Sequence, residues 1–461
     1  MKKKLILLPL LAICAVSTAT PPVTVSYISL DEATISSNPI KIYPESQWAS
    51  ASAKSSMRLY PEIEFQKLAG LGGCFNEIGG EALASLDQAA QAEVIEALFG
   101  ADKSAFQFCR ASIGSSDFGI DAYSFSEVAG DYAMEHFSLD REKQYMLPYI
   151  QKAVKVNPDL KLFGSPWSPP AWMKYSGYID QGSDFRDKNF LIDDPKIYEA
   201  YALYFQKYVE GYQEAGVTVN RILIQNEQDI HTKYPSCRMP VEQMAEFVAE
   251  YMRPRFEKNN IATEIWAGTF RTAGEHEGLR MAANSEYRKH FDGIGIQYTG
   301  AQHISEITAL APEMTIMHTE SACHNGDNSW VQAKKRFAEV ASYINYGSEN
   351  FAYWNMILNE TGNSGWGWRQ NALITIDRQN KKVTYNPDYS VMTLMSRAIR
   401  SGDVRIAAYS RIPVITVSTA DGYSIIMQND SDKATAINCV IGDESVDFTI
   451  PARSLCAVKI N

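Results

Sequence analysis

The chain has 461 residues, 45% hydrophobic and 21% charged, with a formal charge of −11. Without Lys2, Lys3 and Lys4 the 43 basic residues become 40 against 54 acidic ones, a charge of −14. That balance excludes nucleic acid and anionic membrane as main partners and suits a neutral substrate. A chain well beyond about 300 residues is also expected to divide into more than one domain.

The first segment, MKKKLILLPLLAICAVSTAT, reads as a secretory leader. Three lysines precede an apolar run from Leu5 to Val16, and small residues follow. Cleavage after Ala19 makes residues 1–19 a signal peptide; lipidation at Cys14 is the alternative, since Leu11-Ala12-Ile13-Cys14 is close to a bacterial lipobox. Either route predicts an exported protein: periplasmic, cell-surface or extracellular. The remaining cysteines, Cys74, Cys109, Cys237, Cys323, Cys439 and Cys456, are scattered, with no CxxC or zinc spacing. Buried free thiols are expected, with no metal site and no cofactor.

Residues 20–66 carry two strand-like runs, VTVSYISL and MRLYPEIEF. From 67 to 400 eight short apolar runs follow: GLGGCFNEIG (70–79), FCRASIG (108–114), LKLFGSPWS (160–168), RILIQNE (221–227), TEIWAGT (263–269), GIGIQYTG (293–300), TIMHTES (315–321) and FAYWNMIL (351–358). Helical stretches with apolar residues at three and four separate them, among them 87–100, 141–155, 195–216, 241–259 and 328–347. Pro195, Pro240 and Pro387 stand where helices should start. Eight strands alternating with helices predict a (β/α)8 TIM barrel. A doubly wound sheet is the rival, but GLGG at 70–73 continues into neither GxGxxG nor GK[ST]. After 401 the runs VRIAAYS, VITVSTA, YSIIMQND, TAINCVI, VDFTI and CAVKI are short and β-branched, separated by turn signals. Some 60 residues are few for a sandwich, so residues 20–66 are expected to complete it. The expected fold is thus α/β: a barrel over 67–400, with an accessory antiparallel β-sandwich built from both chain termini, 20–66 and 401–461.

A TIM barrel keeps its active site where the strands end. Those ends carry Asn76 and Glu77, Asp117, Trp167, Asn226-Glu227, Tyr298, Glu320, and Trp354 with Asn355. The fifth ends at Thr269 and offers no evident chemistry. Carboxylates among tryptophans suit glycoside cleavage: one carboxyl protonates the departing oxygen, the other attacks the sugar carbon, and aromatic faces stack on the sugar. Glu227 is expected as general acid and then base, its pKa raised by burial and by Glu320. Asn226 is placed to bond the sugar 2-hydroxyl. Taken singly, a carboxylate at a strand end is as readily an ion pair. Glu77 and Asp117 read as structural or substrate-positioning groups, bonded to arginines such as Arg110. Trp172 reads as packing and His318 as a core histidine. The loops 175–189 and 229–239 show no substrate code; in the second, His231, Lys233 and Tyr234 are within reach of sugar at the cleft rim, but a solvated loop is the expectation.

Several segments together resemble glycoside hydrolase family 30, which includes glucosylceramidases and β-1,6-glucanases. GLGGCFNEIGG, CRASIGSSDFGIDAYSFSE, GSPWSPPAWMK, QNEQD, HTESAC and YWNMILNETGNSGWGWRQNALITID carry the likeness, which spans roughly 67–400. The resemblance implies that Glu227 is the acid/base and Glu320 the nucleophile of a retaining double displacement. It implies substrate contacts from Asp117, Trp167, Tyr298, Trp354 and Asn371, with Arg110 in support. Two departures stand out. Gln228 follows Glu227 where proline is usual, and Ile296-Gln297-Tyr298 stands where His-Trp-Tyr is common.

The expected partner is a β-linked glycan or glycolipid, met by a monomer. β-1,6-Glucan and glucosylceramide-type β-glucosides lead; xylan and fucosides are open alternatives. A non-catalytic glycan-binding protein would need the aromatics but not both glutamates.

Overall fold

The computed structural model describes residues 23–30, 41–43, 48–50, 56–271, 277–298 and 303–461. The segment expected to be a leader, with Ala19 and Cys14, lies outside them.

All eight apolar runs of the middle region form barrel strands. They are Gly70–Gly73, Phe108–Ser112, Lys161–Ser165, Val219–Leu223, Glu264–Phe270, Gly293–Ile296, Thr315–His318 and Asn350–Tyr353. The second to the seventh make one parallel sheet in chain order, and the eighth pairs in parallel with the first. Bridges at Cys74–Arg110 and Ile316–Ser348 close the ring. There Phe75 N donates to Arg110 O at 2.8 Å and Glu349 N to Ile316 O at 2.9 Å. The first strand is nearly all glycine because its neighbours crowd it. A Cβ on Gly72 would lie 2.1 Å from Phe108 O.

Tyrosines supply much of the helix packing. Pro195–Glu214 buries Tyr198, Tyr201, Tyr204, Tyr208 and Tyr212. Its first turn is held by Pro195 and by the Asp194 carboxylate, which accepts from Lys196 N at 2.8 Å. Two helices depart from the sequence expectation. The one expected from 141 starts at Met146, because Glu142 turns inward and accepts from the Tyr123 and Tyr212 hydroxyls at 2.6 and 2.5 Å. The stretch from 241 contains a π turn at Val248–Met252 just before Pro254. Proline has no N–H to continue the α ladder, and the wider turn absorbs the break.

The six C-terminal runs become Val404–Ser410, Val414–Thr419, Gly422–Asn429, Thr435–Ile441, Glu444–Ile450 and Ser454–Ile460. The N-terminal runs join them. Val23–Ser29 pairs antiparallel with Ser454–Ile460, and Met57–Lys67 with Val404–Ser410. Short strands Lys41–Tyr43 and Trp48–Ser50 complete a ten-stranded sheet that folds into a sandwich. Alternate residues such as Val23, Val25, Ile425, Met427, Val458 and Ile460 meet in its own core. Gln66 Nε2 ties this domain to the barrel, donating to Ile344 O at 2.6 Å and Ser348 O at 2.9 Å. The six described cysteines are free and buried. No described helix is long and apolar enough to cross a membrane.

Candidate active site

The C-terminal ends of the strands open onto a cleft of about 640 Å³. Asp117, Trp167, Asn226, Glu227, Tyr298 and Glu320 all line it. Another hollow, of about 770 Å³, lies at the opposite end of the barrel. There Arg221 bridges Glu264 at 2.7 Å and also pairs with Glu349. In a TIM barrel that end serves stability.

The fourth strand does not stop cleanly at Leu223. Gln225 N donates to Gly268 O at 3.0 Å and Asn226 N to Pro166 O at 2.8 Å, so sheet-like bonding carries the chain to the carboxylate. Glu227 then turns with φ of +44°, a left-handed conformation unusual for a side chain of that size. Its backbone is pinned there: Glu227 N donates to Thr269 Oγ1 at 3.2 Å, and its carbonyl accepts from Ile230 N at 2.9 Å. Tyr298, at φ +52°, makes a similar turn off the sixth strand. Strain of this kind costs on the order of 1–3 kcal/mol and collects at functional sites.

The two glutamates sit in unlike surroundings. Glu227, 5% exposed, is approached by neutral groups: Gln297 Nε2 at 3.3 Å from Oε1 and the Tyr234 hydroxyl at 3.4 Å from Oε2. Burial, then the charge of Glu320, pushes its carboxyl up to about 7, against a pull downward from Arg271. Glu320 is as buried, but Arg110 Nη1 donates to its Oε2 at 2.7 Å and the Tyr298 hydroxyl bonds Oε1. Burial raises this carboxyl too, while Arg110 and Tyr298 draw it back toward the charged form.

Arg110 organises the floor. Fully buried, it donates from Nη2 to Asn226 Oδ1 at 2.7 Å and to Ser165 Oγ at 2.7 Å, and from Nη1 to Thr319 O at 3.1 Å. Its guanidinium lies 4.4 Å from the centroid of Trp167, which stacks on Trp354 at 5.2 Å and 24°. Asn226 Oδ1 also accepts from the Thr269 hydroxyl at 3.0 Å. Both bonds fall on the oxygen, which leaves its amide nitrogen for a ligand. Trp354 Nε1 and Asn371 Nδ2 are buried donors with no partner among the described residues.

The cleft therefore gathers most of the residues singled out from the sequence. Trp354 and Asn371 are not among those lining it: Trp354 is buried against Trp167, and Asn371 Oδ1 accepts from Asn328 N at 3.0 Å. Asp117 does not pair with Arg110. Its carboxylate faces the cleft, raised well above the usual range by burial and by Glu320 and Glu227. Glu77 holds Arg141 at 2.5 Å and Ile120 N at 2.8 Å. His318 is a core residue, stacked on Phe351 with its Nδ1 accepting from Ala352 N at 3.0 Å. Trp172 packs edge-on against Tyr132.

Two expectations are corrected. The fifth strand does contribute, because the Thr269 hydroxyl braces both Asn226 and Glu227. The loop 229–239 is not merely solvated. Lys233 and Tyr234 line the cleft, drawn in by contacts with Trp366 and Trp368. Sequence reading missed Trp368, Gln370 and Gln297; the first two lie in the aromatic-polar run GWGWRQ (365–370), and the third stands at a noted departure from the family pattern. Among the described residues no group of three or more His, Cys, Asp or Glu is placed to hold a metal.

Known proteins share this architecture. A Caenorhabditis elegans protein named as a glucosylceramidase is 26% identical over 366 residues, 74% of this chain and 68% of that one. The crystal structure of SrfJ from Salmonella typhimurium superposes with a TM-score of 0.86 at 21% identity, over 95% of this chain and 99% of that one. The endo-β1,6-glucanase BT3312 gives 0.82 at 20%, over 95% and 98%. The family model for the glycosyl hydrolase family 30 TIM-barrel domain matches residues 68–393, most of the chain and every barrel strand. This O-glycosyl hydrolase belongs to glycosyl hydrolase family 30.

Proposed function

We propose that the protein is a retaining β-glycoside hydrolase acting by double displacement, with Glu320 as nucleophile and Glu227 as acid/base. The supporting observation is the asymmetry between two buried carboxyls in one cleft. Arg110 favours a charged Glu320, ready to attack the anomeric carbon. Glu227, pushed up to about 7, still holds a proton near neutral pH and delivers it to the departing oxygen. The bond to the leaving group breaks as the Glu320–sugar ester forms. Glu227, now ionised, takes a proton from water, which attacks the same carbon and releases the sugar and Glu320.

The remaining groups position the sugar. The free amide nitrogen of Asn226 suits a 2-hydroxyl, a contact that tightens in an oxocarbenium-like transition state. Trp167, backed by Trp354, offers a stacking face. Asp117, which lines the cleft, is placed to meet a sugar hydroxyl. The substrate we favour is a β-glucoside, β-1,6-glucan ahead of glucosylceramide. The leader adds export, with release after Ala19 or a lipid anchor at Cys14. A monomer suffices, since one chain supplies the whole site.

The test is a panel of β-1,6-glucan, β-1,3-glucan, xylan, a fucoside and glucosylceramide, with product stereochemistry followed by NMR. First-formed β-anomer from a β-glucoside supports the proposal. An α-anomer, or no turnover of any β-glucoside, refutes it.

A further inference from the structure

One wall of the cleft is built from aromatic rings that the double displacement does not use. The Tyr234 hydroxyl lies 3.4 Å from Glu227 Oε2, the oxygen that Gln297 leaves untouched. The proton on that oxygen must reach the departing group, so the departing group lies against Tyr234. Trp368 stands beside Tyr234, ring centroids 5.1 Å apart and tilted by 51°. Lys233 sits over Trp368 at 5.3 Å and donates to Trp366 O at 2.6 Å, fastening the loop after the fourth strand to the loop after the eighth. The second loop is itself held, with Ser364 N donating to Trp368 O at 2.7 Å and Gln370 N to Gly362 O at 3.0 Å. Behind the cleft Phe118 stands edge-on to both Trp354 and Trp368, so buried aromatic packing backs the wall.

We infer that Trp368 and Tyr234 form a leaving-group subsite that receives a second pyranose ring of a glucan or oligosaccharide, not a lipid. This rests on the acid/base reading of Glu227 and names the substrate class for that same site. A pyranose has an apolar C–H face for Trp368 and an equatorial rim of hydroxyls. That rim would meet the remaining Lys233 donors and the Gln370 amide. A ceramide would need a continuous apolar groove, yet among the described residues no aliphatic side chain lines the cleft. Laying an acyl chain there would strip water from charged and amide groups and return no hydrogen bonds. The wall is also formed in advance by the backbone bonds of its loop, which lowers the ordering cost of binding.

The experiment compares Trp368→Ala with the unaltered enzyme on β-1,6-linked gluco-oligosaccharides and on β-glucosyl fluoride, whose leaving group is too small to reach Trp368. The expected loss of kcat/KM on the oligosaccharides exceeds that on the fluoride at least tenfold, and Trp368→Phe recovers part of it. Equal losses on both substrates overturn the subsite. So does a loss on glucosylceramide in detergent micelles as large as that on the oligosaccharides. Binding separates this from the hydrolase reading. If the unaltered enzyme turns over neither substrate, the catalytic proposal fails. Fluorescence titration with the oligosaccharides then still decides the subsite, which stands only if Trp368→Ala weakens their binding at least tenfold more than it weakens that of glucose.

Discussion

Gln297 holds one oxygen of Glu227 and leaves the other to Tyr234, whose hydroxyl lies 3.4 Å from it. Its Nε2 donates to Oε1 at 3.3 Å, while its own oxygen accepts from the Thr319 hydroxyl at 2.7 Å, which fixes the amide end that faces the carboxyl. Under the proposed acid/base role of Glu227, a donor at Oε1 steers the transferable proton to Oε2. The same bond favours the charged carboxylate and so lowers its pKa. Gln297→Leu is therefore expected to move the alkaline limb of the kcat/KM profile to higher pH. It should cost more activity on oligosaccharides than on β-glucosyl fluoride, which needs no proton. An unmoved limb would show that Gln297 only fills space.

Arg110→Leu should act on both stability and pH dependence. It removes the bonds to Glu320, Asn226 and Ser165 together and leaves a buried carboxylate without its cation. Breaking such a pair typically costs about 3–5 kcal/mol, readable by denaturant unfolding. Because Arg110 draws the Glu320 pKa down, its loss raises it. The nucleophile then protonates at higher pH, and the acid limb of the rate profile shifts upward.

The two glutamates should fail differently. Glu227→Ala is expected to lower the rate on oligosaccharides by about 10²–10⁴-fold and much less on the fluoride. Glu320→Gln should abolish turnover of both while the sugar still binds, as measured by titration. Retained turnover of the fluoride in Glu320→Gln contradicts the assigned nucleophile.

Glu142, which is not among the residues lining the cleft, sets a pH dependence of stability. Burial pushes its carboxyl from 4.5 up to about 7, despite the bonds from Tyr123 and Tyr212. Below 4.5 the folded and unfolded forms are both protonated and no penalty exists. Between 4.5 and 7 only the unfolded form ionises, so stability falls by roughly 1.4 kcal/mol per pH unit, then levels off. Glu142→Gln removes that slope. Relative to the unaltered protein, the variant should gain stability on going from pH 4.5 to pH 8 in denaturant unfolding. No gain means that Glu142 ionises as easily folded as unfolded.

The barrel and the sandwich were legible in the linear pattern, and so were the two strand-end glutamates proposed for the chemistry, because those signals are local. A run such as Ile222-Leu223-Ile224 followed by Gln225-Asn226-Glu227 already says buried strand, then strand end. The period-two pattern of Val404–Ser410 and its successors needs no distant partner to be read. Which side chains share the cleft, and in what state, emerges from the folded arrangement alone. Gln297 and Glu227 lie 70 residues apart, and Lys233 and Trp366 lie 133. Nothing in the linear pattern marks loop 229–239 as leaning inward or Arg110 as the partner of Glu320. Those outcomes depend on which loops the closed ring brings side by side. The raised carboxyl of Glu227 follows from the same cause, since burial and a neighbouring charge belong to a place in space, not to a residue type.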